Sequence, residues 1–109
     1  MIPKKGITIH PGRMLLEQYL QPLGITQGAF AQYIDLDIST MSAIVNGRRD
    51  LSQTLIMKLG MALGTGPEFW MNCQAMYHYT KNREALRSKR QIPKIAPLPE
   101  IVAALSQNQ

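Results

Sequence analysis

The stretch that most constrains this chain runs from Thr26 to Gly47, TQGAFAQYIDLDISTMSAIVNG. Threonine caps a helix start by accepting a backbone N–H with its side-chain oxygen. Behind Thr26, the residues Phe30, Ala31 and Ile34 recur at the three- and four-residue spacing of one helical face. A second helix is therefore expected over residues 27–34, with a first one before it. Asp35-Leu36-Asp37 makes a turn, and Asp37 caps a third helix over 38–46. Asn46-Gly47 stops that helix, since both residue types tolerate left-handed backbone. Ala31 is small enough for the third helix to cross closely.

On a wheel of 100° per residue, Met41, Ile44 and Val45 fall on the packed side of the third helix. Ser39 and Ala43 lie opposite, flanked by Thr40 and Ser42. Ile38 falls toward the core edge, with contact to a base methyl as its lesser role. Two short helices joined by a tight turn, the second offering short polar side chains, form the build of a helix-turn-helix DNA reader. Short side chains let a helix backbone approach base edges in a major groove, where hydroxyls donate or accept and an alanine methyl can touch thymine. Gln27 opens the second helix, where free amides and its own side chain suit a phosphate. Arg48 and Arg49 emerge just past the stop, where a DNA backbone would pass. A solvated polar face is the competing reading of the same residues.

The flanks read as more helix. His10-Pro11-Gly12 opens the first one, with Met14, Leu15, Tyr19 and Leu20 as its apolar stripe, and Gln21-Pro22-Leu23-Gly24 ends it. Ser52 caps a fourth helix carrying Leu55, Leu59 and Leu63, which Gly64 ends. Pro67 and Glu68 start a fifth, with Phe69, Trp70, Met76, Tyr77, His78 and Tyr79 divided between core and a subunit interface. Beyond Arg90, Pro93, Pro97 and Pro99 break regularity, and residues 100–105 suit one more short helix. The expected division is an arm over 1–9, a DNA-binding domain over 10–66, a fifth helix and dimerisation element over 67–90, and a tail over 91–109. The fold class is all-α.

The chain has 109 residues, 45% of them apolar, and a net charge of +5. That charge suits a polyanionic partner, but half of the twelve Lys and Arg residues (Lys81, Arg83, Arg87, Lys89, Arg90 and Lys94) sit in one late segment. That segment is a solvated helix end, a further phosphate contact or a docking surface. No apolar run approaches a membrane span, and MIPKKGITIHPG lacks the apolar stretch of a secretory signal. One cysteine, Cys73, fits a reducing cytoplasm. His10, His78 and Cys73 are too few and too scattered for a zinc site. With no phosphate loop, paired carboxylates or nucleophile motif, neither an enzyme nor a cofactor is expected.

TQGAFAQYIDLDISTMSAIVNGRR resembles the helix-turn-helix of the phage Cro and cI repressors and their bacterial relatives. HPGRMLLEQYLQPLGITQ and IVNGRRDLSQTLIMKLGMALGTGPEFWMNCQAMY resemble the HigA-type antitoxins of bacterial toxin–antitoxin modules, with GTGPEFWMNCQ the most distinctive part. The resemblance implies a five-helix, lambda-repressor-like domain with an irregular C-terminal tail. It implies a homodimer that represses its own operator on double-stranded DNA and neutralises a RelE-like, HigB-type ribonuclease toxin. Gln27 matches the phosphate-contacting glutamine, Ser39, Thr40 and Ala43 the slots facing bases or phosphates, and Arg48 with Arg49 the basic pair. Asp35 departs from the usual glycine of the turn, and the recognition helix lacks the arginine or asparagine that relatives often place at its start. A regulator without a toxin, of stand-alone or phage origin, and an interaction module that has lost DNA binding are the alternatives.

Overall fold

A computed structural model describes residues 9–107, so the expected N-terminal arm lies outside the described residues except for Ile9. Among them every regular element is helical. Helix α1 spans Pro11–Leu15 and continues as a wider coil over Leu16–Leu20. Then come α2 (Gln27–Tyr33), α3 (Ile38–Val45), α4 (Gln53–Leu63), α5 (Pro67–Ser88) and α6 (Pro99–Gln107). The caps are those the residue types dictate. Thr26 Oγ1 accepts from the Ala29 N–H and Ser52 Oγ from the Leu55 N–H, each at 3.1 Å. Helices α2 and α3 end one residue earlier than expected, because Ile34 and Asn46 are caps whose ψ angles, 9° and 5°, have left the helical range.

The first helix differs from the simple stripe in its sequence. Leu15 and Leu20 are both fully buried, yet they stand about 140° apart at α-helical pitch. Residues 16–20 widen into a π-helical turn, in which the Gln21 N–H donates to the Leu16 carbonyl at 2.9 Å. The Ile25 N–H reaches the Leu20 carbonyl in the same i→i+5 pattern. More residues per turn swing Leu20 back toward the face of Leu15, so both enter one core. That core joins them to Phe30, Met41, Ile44, Leu59 and Trp70. Ala31 is buried at the α2–α3 crossing, as its size requires.

The first half of α5 closes this core. Trp70 is fully buried, and its indole Nε1 donates to Thr65 Oγ1 at 2.9 Å. One turn on, Gln74 bridges both backbone groups of Leu51, accepting its N–H at 2.6 Å and donating to its carbonyl at 3.1 Å. After Tyr79 the helix leaves the body, and between Lys81 and Ser88 only Leu86 is half-buried. Helix α6, longer than the expected 100–105 segment, has no buried residue. The radius of gyration is 18.3 Å, against about 13 Å for a compact domain of this length. The C-terminal helices extend the molecule well beyond its core.

Candidate nucleic-acid interface

Helix α3 lies across α1 and α2, and its buried face is the expected one, Met41, Ile44 and Val45. Ser39 is exposed, and Thr40, Ser42 and Ala43 are half-buried on the outer side. Ile38 is 53% exposed, so its expected place at the core edge is corrected. As the first residue of α3 it lacks a preceding turn to cover it, and it joins the outer face.

The polar groups of this face are already oriented. Asp37 accepts the N–H groups of Ser39 at 3.0 Å and Thr40 at 3.2 Å, together with the Ser39 hydroxyl proton. The Ser39 hydroxyl and then the Thr40 N–H hold the Asp37 carboxyl below its usual range. With its proton turned to Asp37, Ser39 presents lone pairs outward. At the other end, Asn46 Nδ2 donates to the Ser42 carbonyl at 2.8 Å and to Ser42 Oγ at 3.4 Å. That contact leaves the Ser42 hydroxyl proton free to point away from the helix.

The C-terminus of α3 aims the arginines. Gly47 is left-handed at φ 73°. The Arg48 N–H returns to the Ala43 carbonyl at 2.8 Å, and the Gly47 N–H to that of Ile44 at 3.0 Å. This paired closure reverses the chain and leaves Arg48 and Arg49 exposed beyond the helix end. Helix α2 closes in the same way with Asp35 at φ 55°, and the Leu36 N–H bonds the Ala31 carbonyl at 2.8 Å. Aspartate takes this conformation at low cost. Lys58 Nζ on α4 donates to the Asp35 carbonyl at 3.1 Å and pins the turn. Gln27 is half-buried at the first position of α2.

Behind the arginines lies an arrangement with no local signature in the sequence. Asp50 reaches His78 Nε2 at 2.9 Å with one oxygen and His10 Nε2 at 3.8 Å with the other. The two histidines, scattered in the sequence, thus meet at one carboxylate. Among the described residues, no three groups are placed to hold a metal ion. His10 is buried, accepts the Gly12 N–H on Nδ1 at 2.9 Å, and meets the Tyr77 ring edge-on at 4.9 Å. Burial lowers its pKa against the opposing pull of Asp50. Lys81 Nζ lies 5.5 Å from the centre of the Tyr77 ring.

The six interface candidates on α5 therefore divide. Trp70 belongs to the core of its own chain and has no surface to give a partner. Tyr77 packs against the buried His10, and His78 bonds Asp50 at the surface of its own chain. Phe69, Met76 and Tyr79 are 37%, 56% and 62% exposed. No helix among the described residues is long and apolar enough to cross a membrane.

Residues 16–70 match the helix-turn-helix family model HTH_3. Virulence-associated protein A of Dichelobacter nodosus is 35% identical over 94 residues, covering 85% of this chain and 92% of that protein. Antitoxin HigA-1 of Vibrio cholerae is 41% identical over 63 residues, which cover 58% of this chain and 59% of the antitoxin. The structure of Pseudomonas aeruginosa antitoxin HigA with the higBA promoter superposes with a TM-score of 0.74 at 30% identity, covering 84% of this chain and 99% of that one.

Proposed function

Because the chain belongs to the helix-turn-helix family that includes the HigA antitoxins, we propose that it is a homodimeric repressor of its own operon and the antitoxin of a HigBA-type module. The observation that carries the DNA reading is the geometry of α3. Its outer face sets short polar side chains, oriented by Asp37 and Asn46, beside the exposed Ile38, and its end throws Arg48 and Arg49 outward. A major groove accepts such a helix, with the arginines and Gln27 on the phosphates to either side. Ser39 serves as an acceptor, suited to the amino groups of adenine or cytosine, and Ser42 as a donor. Ile38, exposed beside them, offers an apolar contact to a thymine methyl.

Two-fold symmetry follows from the same face. Two arginines and a short polar helix supply few contacts, and one unit of this size is at the low end of area for specific DNA binding. A dimer doubles the contacts and reads both halves of a palindrome. The protein acts in the cytoplasm, and it is assigned no catalytic role. Fluorescence anisotropy against the chain's own promoter tests the reading. Specific binding at moderate salt, with a steep salt slope, is expected; binding no tighter than to scrambled DNA would overturn it. Co-purification with the small basic ribonuclease-like product of an adjacent gene tests the antitoxin half.

A further inference from the structure

Arg48 and Arg49 stand between two anchored points. Before them, Gly47 closes α3 against the imidazole of His10, whose Cγ would lie 3.7 Å from a Cβ at residue 47. After them, α5 holds the chain with two side chains one helical turn apart. Gln74 takes both backbone groups of Leu51, and His78 Nε2 lies 2.9 Å from Asp50 Oδ2. His10 completes the set from the start of α1. Its Nδ1 accepts the Gly12 N–H, so the proton of the neutral ring sits on Nε2, the atom 3.8 Å from Asp50 Oδ1. Only the two arginines separate Gly47 from Asp50.

Asp50 is the odd member of this surface. A carboxylate beside a phosphate-binding pair repels DNA and competes with phosphate for the guanidiniums. Yet its two oxygens are directed to the histidines, and among the described residues neither Arg48 nor Arg49 pairs with a carboxylate. We propose that Asp50 and His78 are positioning residues for DNA binding: His78 on α5 holds the Asp50 carboxylate, which fixes the exit of the Arg48–Arg49 span and keeps the negative charge off both guanidiniums. The proposal rests on the DNA reading of α3 and adds α5 to the elements that present its arginines.

The span is short enough for such a clamp to matter. Freedom in the backbone of residues 48 and 49 would let both guanidiniums sample many positions, and ordering each long side chain on a phosphate costs free energy. With both ends held, part of that ordering is complete before DNA arrives. The side chains of His78 and Asp50 are 51% and 56% exposed, so their contact adds little to fold stability. Its place at the exit from the reading helix gives it a role instead.

Charge alone and positioning predict opposite signs. Removing a carboxylate from a DNA-facing surface strengthens binding if the group acts only through its charge. Removing one that positions the arginines weakens it. The test is anisotropy of the full chain on its own promoter DNA over a salt series. Asp50→Ala and His78→Ala should each bind about threefold to tenfold more weakly than wild type. The slope of log K against log salt should be unchanged, because both arginines remain. His78→Gln, whose amide nitrogen can donate from near the position of Nε2, should return binding to within about twofold of wild type. Far-UV circular dichroism should match wild type for all three. In the free protein, NMR relaxation of the Arg48 and Arg49 backbone amides should report added motion in His78→Ala and not in His78→Gln. Tighter binding by Asp50→Ala would leave the carboxylate a purely electrostatic effect and overturn the proposal, as would arginine amides that stay equally rigid in His78→Ala. Wild-type binding with unaltered variants overturns the proposal alone. A wild-type chain that binds its promoter no better than scrambled DNA overturns the DNA reading and the proposal with it.

Discussion

Gly12 lies directly against the Ile44 carbonyl: a Cβ on residue 12 would stand 1.7 Å from that oxygen and 2.4 Å from its carbon. The first turn of α1 therefore rests on the backbone of α3, on the side opposite the face offered to DNA. Any change at this crossing moves the reading helix itself.

Gly12→Ala should cost about 3 kcal/mol or more, since the obstructing atoms are backbone and cannot swing aside. Urea unfolding followed by circular dichroism checks this. A loss below about 0.5 kcal/mol would mean that α1 does not cross α3 as described.

His10 should make the domain acid-sensitive. Its Nδ1 lone pair caps α1 through the Gly12 N–H, and a proton there would replace the acceptor with a donor. Burial depresses the folded pKa below the unfolded value of 6.5, so the unfolded chain binds the proton first. The contribution is full above 6.5 and is lost as pH falls through the folded value. His10→Asn can keep the cap through its side-chain oxygen. It should be less stable at neutral pH through lost packing, yet show a flatter stability profile between pH 7.5 and 5. Parallel profiles for the two proteins would remove His10 as the source.

Arg48→Ala and Ser39→Ala should separate backbone contacts from base reading. The arginine variant should weaken binding to every sequence and lower the slope of log K against log salt by about 1. The serine variant should keep the slope and change preference at one base pair by about 1–3 kcal/mol. Anisotropy titrations over a salt series and a set of single-base operator variants provide both numbers. Identical behaviour of the two variants would refute the division of roles.

Asp35→Gly should leave stability within about 1 kcal/mol of wild type, because glycine accepts the left-handed turn and the carbonyl held by Lys58 is retained. Asp35→Val should lose about 1–3 kcal/mol, since a β-branched residue is strained at positive φ. Thermal melts of the two variants decide the matter, and equal melting temperatures would show that the turn relaxes.

Much of the reading region is legible from local chemistry. Thr26, Asp37 and Ser52 cap because their side chains reach amides two or three residues ahead, and the buried faces of α2 and α3 follow from helical spacing. Ile38 failed that logic, because a wheel treats every position as though turns lay on both sides of it. Leu20 is buried as its place in the apolar stripe implies, but the wheel does not show how: it assumes one pitch, and the π turn at residues 16–20 changes it. The contacts of Asp50 with His10 and His78 span 40 and 28 positions of the chain, and no periodicity carries such a signal.

The sequence by itself determined the caps, the turn, the short side chains of α3 and the arginines behind it, since each depends on neighbours within one or two helical turns. Only the tertiary structure decided how α5 is divided. Phe69 and Trp70 are adjacent aromatic residues that periodicity treats alike, and docking on α1 and α4 buries one and leaves the other at the surface. That rotation is set by contacts distant in sequence: Trp70 in the shared core, Gln74 on Leu51, and His78 on Asp50. Once it is set, the opposite face of α5 carries Met76 and Tyr79 outward.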